Sequence, residues 1–177
     1  AIEMAPNGSA RLPPVTRDRL DDVSRARVVL EGLAAELATP YLRAVDIDGL
    51  ALLVAQHEQS AQQGDVYAML LRNQEFHFLI YRAARSDVLL QLIETLWLRY
   101  GPYMRMLSRY IAPHAGDETR ESFTSHHRAI VDALREGDAT RVRGAVGEDI
   151  RATQALLQLL CEEQPQRAET KIRARSS

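Results

Sequence analysis

The hydrophobic and polar positions of this chain follow a helical period from residue 16 onwards. Apolar residues recur three, four and seven positions apart in six successive stretches, which is the pattern of amphipathic α-helices. No alternating strand pattern occurs after residue 15. The pattern therefore predicts an all-α protein, an antiparallel bundle of six or seven helices. The predicted helices start at about residues 16, 46, 66, 86, 117 and 138.

Residues that end or cap helices separate these stretches. Thr39-Pro40 ends the first helix, and Gly64-Asp65 and Gly137-Asp138 each combine a stop with a capping aspartate for the next helix. Gly101-Pro102 lies inside the long, apolar fourth stretch, where we expect a kink. The sixth helix is predicted to end near Glu162.

The two ends of the chain lack this helical period. Asn7-Gly8, between short apolar segments, is a strong short-range signal for a β-hairpin, and Pro13-Pro14 prevents continued strand pairing. Residues 164–177 are polar and charged without a period, which predicts a disordered tail. We therefore divide the chain into a hairpin with its linker at 1–15, a helical domain at 16–163 and the tail at 164–177.

Composition and charge limit the classes of protein to which the chain can belong. Its 177 residues are 46% hydrophobic and 26% charged, as in a folded domain, and 22 basic against 24 acidic side chains give no general attraction for nucleic acid. The one cysteine, Cys161, excludes a disulfide framework. Because no apolar run is long enough to span a membrane and no secretory start is present, we expect a cytoplasmic location.

Common catalytic signatures are absent from the sequence, but several polar residues lie on helix faces that should point inward. There is no glycine-rich phosphate loop, no His-Glu-x-x-His motif and no Gly-x-Ser-x-Gly elbow. The inward polar residues are Asn73, His77, His127 and Asp149. Buried singly they would be costly, so they should meet each other, a ligand or a metal ion. From periodicity alone, a hydrogen-bonded polar core is the commoner outcome.

In three segments the sequence resembles the FadR C-terminal (FCD) domain, the effector-binding module of one GntR subfamily of transcription regulators. The segments are Arg27-Val-Val-Leu-Glu31 with Ala34-Ala35-Glu36-Leu37-Ala38, then Asn73-Gln-Glu-Phe76-His77, then His127-Arg-Ala-Ile130 through to Asp138. Together they cover roughly residues 16–162. The resemblance implies an all-helical, dimeric domain that binds a small-molecule effector.

The same resemblance gives an expectation for the first residues. The segment from Glu3 to Leu12 looks like the wing hairpin of a winged helix-turn-helix domain. In that case the chain is a fragment that begins inside the DNA-binding domain. The whole protein would then contact operator DNA through a helix-turn-helix that precedes this chain.

The resemblance also implies a metal site. Many family members hold a divalent metal with one Asp and three His, and the matching positions here are Asn73, His77, His127 and Asp149. The chain thus departs from the family pattern twice. Two imidazoles and a carboxylate still form a credible set of ligands for Zn, Ni or Mn, and an Asn oxygen can be a weak fourth ligand. Metal-free members with a hydrogen-bonded pocket also exist, so the sequence leaves both outcomes open.

The effectors of this family are mostly small carboxylates, which arginine binds with two parallel hydrogen bonds. Arg99 lies seven residues after Leu92 and three after Leu96, a spacing that predicts a side chain in the interior. There it would suit such a ligand or pair with a glutamate. Further candidate effector contacts are Arg27, Tyr103 and His126. The alternative for Arg27 is pairing with Glu31. For Tyr103 it is packing in the core or in a dimer interface, and for His126 it is exposure to solvent. His57 is expected to be structural or solvent-facing.

These observations and the resemblance predict a domain that is not an enzyme. We expect the effector-binding and dimerisation domain of a metabolite-responsive transcription regulator. One rival is a metal-dependent helical enzyme in which His77, His127 and Asp149 surround an activated water molecule. Another rival is a structural helical dimer with a sealed polar core.

Overall fold

Six α-helices account for most of the described chain. The computed structural model describes the backbone of residues 3–4, 10–11, 14–111 and 117–175, and the side chains of residues 14–110 and 124–162. The helices are α1 (Arg17–Ala38), α2 (Ala44–Gln62), α3 (Val66–Ala83), α4 (Asp87–Ile111), α5 (Asp117–Glu136) and α6 (Ala139–Arg175), with a 3₁₀ turn at Thr39–Tyr41. The all-α bundle predicted from the sequence is confirmed. Within the described ranges, none of the helices has the length and apolar character needed to cross a membrane.

A two-stranded hairpin precedes the bundle. Strand β1 (Glu3–Met4) pairs antiparallel with strand β2 (Ala10–Arg11), so that Glu3 lies opposite Arg11. The predicted turn at Asn7-Gly8 lies outside the described residues.

The helices begin where short polar side chains cap them. The side chains of Thr16, Asp65 and Asp138 each accept a hydrogen bond from the backbone N–H three residues further on, at 3.4, 2.9 and 2.9 Å. Gly64 and Gly137 precede two of these caps with φ of +72° and +69°, a left-handed conformation that a residue without Cβ adopts at little cost. These local signals explain why the predicted starts of α1, α3 and α6 agree with the structure.

Two boundaries differ from the prediction. Helix α2 begins at Ala44 rather than Asp46, because the Asp46 carboxylate accepts the backbone N–H of Arg43 at 3.0 Å and adds a first turn. The backbone of α6 is helical to Arg175, although the sequence predicts an end near Glu162 and a disordered tail after it. The Glu, Gln, Arg and Ala residues of this segment have high helix propensity and need no apolar face to extend a helix.

Helix α4 continues through Pro102, the position at which the sequence predicts a kink. A proline inside a helix removes one backbone donor. Tyr100, two residues before the proline, and Tyr103, directly after it, are nevertheless buried, at 2% and 4% exposure. The packing of these two rings explains why the helix persists across the proline.

The apolar core consists of two clusters with a polar layer between them. Along α1, Leu20 and Val23 belong to one cluster, Ala34 and Ala35 belong to the other, and buried charged residues lie between them. On α2, His57 likewise lies between Val54 of one cluster and Ala61 of the other. The residues in this layer are Arg27 and Glu31 of α1, His57 of α2, His77 and Tyr81 of α3, Trp97 and Tyr100 of α4, His127 of α5 and Asp149 of α6. All six helices therefore contribute to one buried polar layer.

Candidate metal centre and effector cavity

Three of the four predicted metal ligands meet in the polar layer. Nε2 of His77 lies 3.2 Å from Oδ2 of Asp149, and Nε2 of His127 lies 3.6 Å from Oδ1 of the same carboxylate. One ligand atom from each of the three residues lies within 4.8 Å of the other two. The side chains are almost wholly buried, at 1% exposure for both histidines and 8% for the aspartate. Ligands that share a tetrahedral ion at about 2.1 Å lie about 3.4 Å apart, so this spacing suits a zinc-sized ion.

Asn73, the fourth predicted ligand, lies at the edge of this group. It is half-buried on α3, one turn before His77, and it lines the same cavity as His77 and Asp149. Among the described side chains, Nδ1 of His77 pairs with Tyr81 and Nδ1 of His127 with His57, and neither pairs with the amide of Asn73. The structure thus separates a buried core of three ligands from a more accessible amide.

A hydrogen-bond chain fixes the tautomer of His77. The hydroxyl of Tyr81 donates to Glu31 at 2.7 Å, because an ionised carboxylate can only accept. The same hydroxyl lies 3.1 Å from Nδ1 of His77, which must therefore donate to it. As a neutral metal ligand, His77 would therefore keep its proton on Nδ1 and present the lone pair of Nε2 on the side of Asp149. Metal-binding histidines are characteristically oriented by such an outer partner.

His127 also presents an unpaired nitrogen to Asp149. Its Nδ1 lies 3.3 Å from Nδ1 of His57, and its Nε2 is buried without a hydrogen-bond partner among the described residues. Two imidazole lone pairs and an ionised carboxylate at these distances repel one another unless a proton or a cation lies between them, and a divalent ion can take the place of that proton. The three residues therefore fit a divalent metal ion.

The electrostatics of the layer favour the charge state that a metal requires. Burial lowers the pKa of His127 to about 3 and that of His57 to about 4. Burial alone would raise the pKa of Asp149, but the neighbouring imidazoles of His127 and His77 hold it well below its usual range. Near neutral pH the aspartate is thus ionised, while His127 and His57 are neutral.

Of the two alternatives predicted for His57, structural or solvent-facing, the structure agrees with the structural one. The residue is 3% exposed and its ring packs 5.2 Å from that of His127, centroid to centroid. A signal was present, since His57 continues the apolar face of Leu50 and Val54 on α2. Only the packing of α2 against α5 shows that this face meets a second histidine.

Arg27 lies in the polar layer, but Glu31 already neutralises its charge. Its Nε and Nη2 donate to the two carboxylate oxygens of Glu31 at 2.6 and 3.2 Å. Its guanidinium carbon lies 4.1 Å from the ring centroid of Tyr100 and 5.1 Å from that of Trp97. Arg27 lines the cavity, therefore, as half of a buried ion pair.

The structure does not bring the other three candidate effector contacts into the cavity. Arg99 is exposed, because the buried face of α4 contains Ile93, Tyr100 and Leu107 while Leu92 lies on the outer face. The prediction that Arg99 enters the interior is therefore wrong. Tyr103 is buried, but its hydroxyl donates to the backbone carbonyl of Thr16 at 2.9 Å and so joins α4 to the start of α1. His126 is half-buried and is not among the residues that line the cavity.

Two neighbouring spaces adjoin these residues. The inner cavity, lined by Arg27, His77, Trp97 and Asp149 among others, has a volume of about 30 Å³. An open groove of about 720 Å³ runs outside it between α3 and α4. Leu70, Asn73, Trp97 and Met104 line both spaces. The inner cavity can hold an ion or one or two water molecules, whereas the groove can hold an organic molecule.

Comparison with known proteins gives the class of this fold and site. The family model described as FCD domain matches residues 22–152. The chain therefore belongs to the FCD-domain family of GntR-type transcription regulators. It is 30% identical over 157 residues to the HTH-type transcriptional regulator McbR of Escherichia coli K12, covering 89% of this chain and 69% of that protein.

Solved structures agree with this membership. E. coli McbR/YncC superposes with a TM-score of 0.78 at 26% identity, covering 88% of this chain and 76% of that one. The metal-free FCD domain of TM0439 has a TM-score of 0.68 at 13% identity, covering 85% of this chain and 99% of that one. At that identity the second comparison supports the fold alone.

Proposed function

We propose that this domain binds a divalent metal ion at His77, His127 and Asp149, and that the metal-loaded domain recognises a small carboxylate effector that controls DNA binding by the regulator. The observation that carries the proposal is the buried convergence of two imidazole nitrogens on one carboxylate, with Nε2 of His127 otherwise unpaired. Family membership supports a role as a sensor rather than as an enzyme.

Each residue has a distinct part in this proposal. His77 and His127 would supply neutral nitrogen ligands, and Asp149 would supply the negative charge that a divalent ion requires in a buried site. Tyr81 orients His77, and His57 orients His127. Asn73 would supply a weak amide oxygen from the side of the groove. When bound, the metal would offer the effector an electrophilic centre for a carboxylate oxygen.

We further propose that the domain forms a homodimer through the outer face of α4. Val88, Leu92 and Leu98 are exposed on this face, at 71%, 48% and 66%. None of the three belongs to the two apolar core clusters, and Leu98 also lines the outer groove. Because the inner face of the same helix lines the effector cavity, a shift of α4 on effector binding would reach the dimer interface. Coupling of this kind is typically worth about 1–3 kcal/mol.

Titration of the metal-free protein with Zn²⁺, Ni²⁺ and Mn²⁺ by calorimetry tests the metal centre. We expect His77→Ala and His127→Ala to remove most of the binding, and Asn73→Ala to cost less because its amide is a weaker ligand. Tyr81→Phe, which removes only the orienting partner, should cost roughly 10–100-fold in affinity.

His126→Ala is the matched control for His127→Ala, since it removes a neighbouring histidine outside the cavity. It should leave metal affinity unchanged. If the wild-type protein binds none of the three metals, or if Asp149→Ala and His127→Ala bind them as tightly as the wild type, a sealed polar core is the correct account.

A further inference from the structure

Two buried polar atoms of α4 have no partner in the polar layer. Nε1 of Trp97 and the hydroxyl of Tyr100 make no hydrogen bond among the described residues, and both atoms are inaccessible to solvent. Both residues line the inner cavity together with His77 and Asp149. A buried donor without an acceptor destabilises a fold, so its presence beside a cavity calls for a physical reason.

The other buried tyrosines of the described residues show that this fold can satisfy a hydroxyl. Tyr81 donates to Glu31 at 2.7 Å, and Tyr103 donates to the carbonyl of Thr16 at 2.9 Å. Arg27 packs over the ring of Tyr100 and is close enough to donate to its oxygen, but a guanidinium cannot accept, so the O–H of Tyr100 still lacks an acceptor. Tyr100 is therefore the exception, and it is the one of the three that lines the cavity.

Both unpaired groups require an acceptor. The indole N–H of Trp97 can only donate, and burial raises the pKa of Tyr100 above its usual value, so that the phenol keeps its proton. Arg27 and Glu31 cancel each other's charge, which leaves the negative charge of Asp149. With the divalent ion of the proposed function the layer carries one net positive charge. A monoanion with at least two oxygen atoms would balance this charge and supply the missing acceptors.

We infer that Trp97 and Tyr100 form the effector subsite of this domain, where their N–H and O–H groups bind an oxygen atom of a small monocarboxylate beside the metal centre. This inference rests on the proposed function for the positive charge of the site. Trp97 and Tyr100 are then specificity-determining residues, a role that their aromatic, core-like character in the sequence concealed.

The two spaces around Trp97 explain how such a ligand enters. The inner cavity of about 30 Å³ has no room for a carboxylate without movement of its walls. Trp97 lines both this cavity and the outer groove, so a ligand entering from the groove displaces its side chain. The effector thus favours a second arrangement of α4 in which the two donors are paired. This difference in hydrogen bonding between the two arrangements gives the ligand its differential affinity.

Trp97 is the only tryptophan in the chain, so its fluorescence reports directly on this subsite. The experiment titrates the zinc-loaded protein with acetate and with lactate and follows the emission of Trp97. We expect a saturable change in the wild-type protein. Tyr100→Phe should weaken binding by about tenfold or more, as expected for loss of a hydrogen bond to a charged acceptor. Its zinc affinity, measured separately by chelator competition, should be unchanged.

Tyr103→Phe is the matched control, because it removes a buried hydroxyl from the same helix outside the cavity. It should bind both anions as the wild type does. In the metal-free, anion-free protein, Tyr100→Phe should leave the melting temperature unchanged or raise it, whereas Tyr103→Phe should lower it. This comparison needs no metal, so it tests the inference even if zinc binding, and with it the proposed function, fails.

Three results would overturn the inference. One is a wild-type protein that binds zinc but gives no saturable response to acetate or lactate. The second is a Tyr100→Phe variant that binds the anions as tightly as the wild type. The third is a loss of stability in metal-free Tyr100→Phe equal to that of Tyr103→Phe, which would show that the Tyr100 hydroxyl already has a structural partner.

Discussion

At the scale of single residues, the polar layer makes the metal-free fold sensitive to acid. Unfolded His57 and His127 take up protons near pH 6.5, whereas in the fold burial lowers their pKa values to about 4 and about 3. Between these values the unfolded chain binds more protons than the native one, so the free energy of unfolding falls as pH falls from about 6.5 towards 4. The slope is at most about 1.4 kcal/mol per pH unit for each histidine.

Urea unfolding of the metal-free protein between pH 7.5 and 4.5 measures this slope. The depressed pKa of Asp149 adds to the loss only below the usual aspartate range, so the two histidines dominate the interval. A double variant, His57→Gln with His127→Gln, should be less stable at pH 7.5 but should show a flatter profile. Equal slopes for the variant and the wild type would contradict the burial of two neutral imidazoles.

The candidate site was predictable from residue types only in part. Helical spacing placed His77, His127 and Asp149 on inward faces, and the structure brings these three together. Helical spacing could not show whether Arg99 is buried, because α4 has apolar residues on both faces and Leu92 belongs to the outer face. Helical spacing also could not identify the roles of His57 and Tyr100, since each role depends on which polar atoms of the neighbouring helices lack a hydrogen-bond partner.

At the scale of helices, local signals predicted the starts well and the ends less well. A capping side chain and a left-handed glycine act within a few residues, so their effect is readable from the sequence. Whether α4 continues past Pro102 depends on the packing of Tyr100 and Tyr103, which a linear pattern does not contain. The end of α6 likewise depends on helix propensity in a segment without an apolar face.

The cap of α3 links this scale to the site. Asp65 accepts the N–H of Ala68 at 2.9 Å, at the start of the helix that carries Asn73 and His77. Asp65→Ala should lower the free energy of unfolding by about 1 kcal/mol. The melting temperature should then fall by roughly 2–4 °C. Asp48→Ala, which removes an exposed aspartate in the first turns of α2, is the control and should change stability little. Equal effects of the two substitutions in thermal unfolding would argue against the cap.

At the scale of the whole molecule, the two faces of α4 have different parts in the proposed regulator. The inner face lines the cavity with Trp97 and Tyr100, and the outer face exposes Leu92 and Leu98. Exposed apolar side chains clustered on one helix face are typical of a surface that another molecule covers. A two-fold symmetric dimer would place the same face of α4 from each subunit in one interface. An effector that shifts α4 would then alter the spacing of whatever domains the two subunits carry.

The oligomeric state tests this arrangement. Light scattering over a range of concentrations should show a dimer for the wild-type domain and a monomer for the double variant Leu92→Glu with Leu98→Glu, because two buried charges on each subunit would repel across the interface. Val45→Glu introduces a charge at an exposed apolar position of α2, 62% exposed and away from α4, and should remain dimeric. A dimer that survives both substitutions on α4 would place the interface elsewhere, and the effector cavity would then lack a direct route to it.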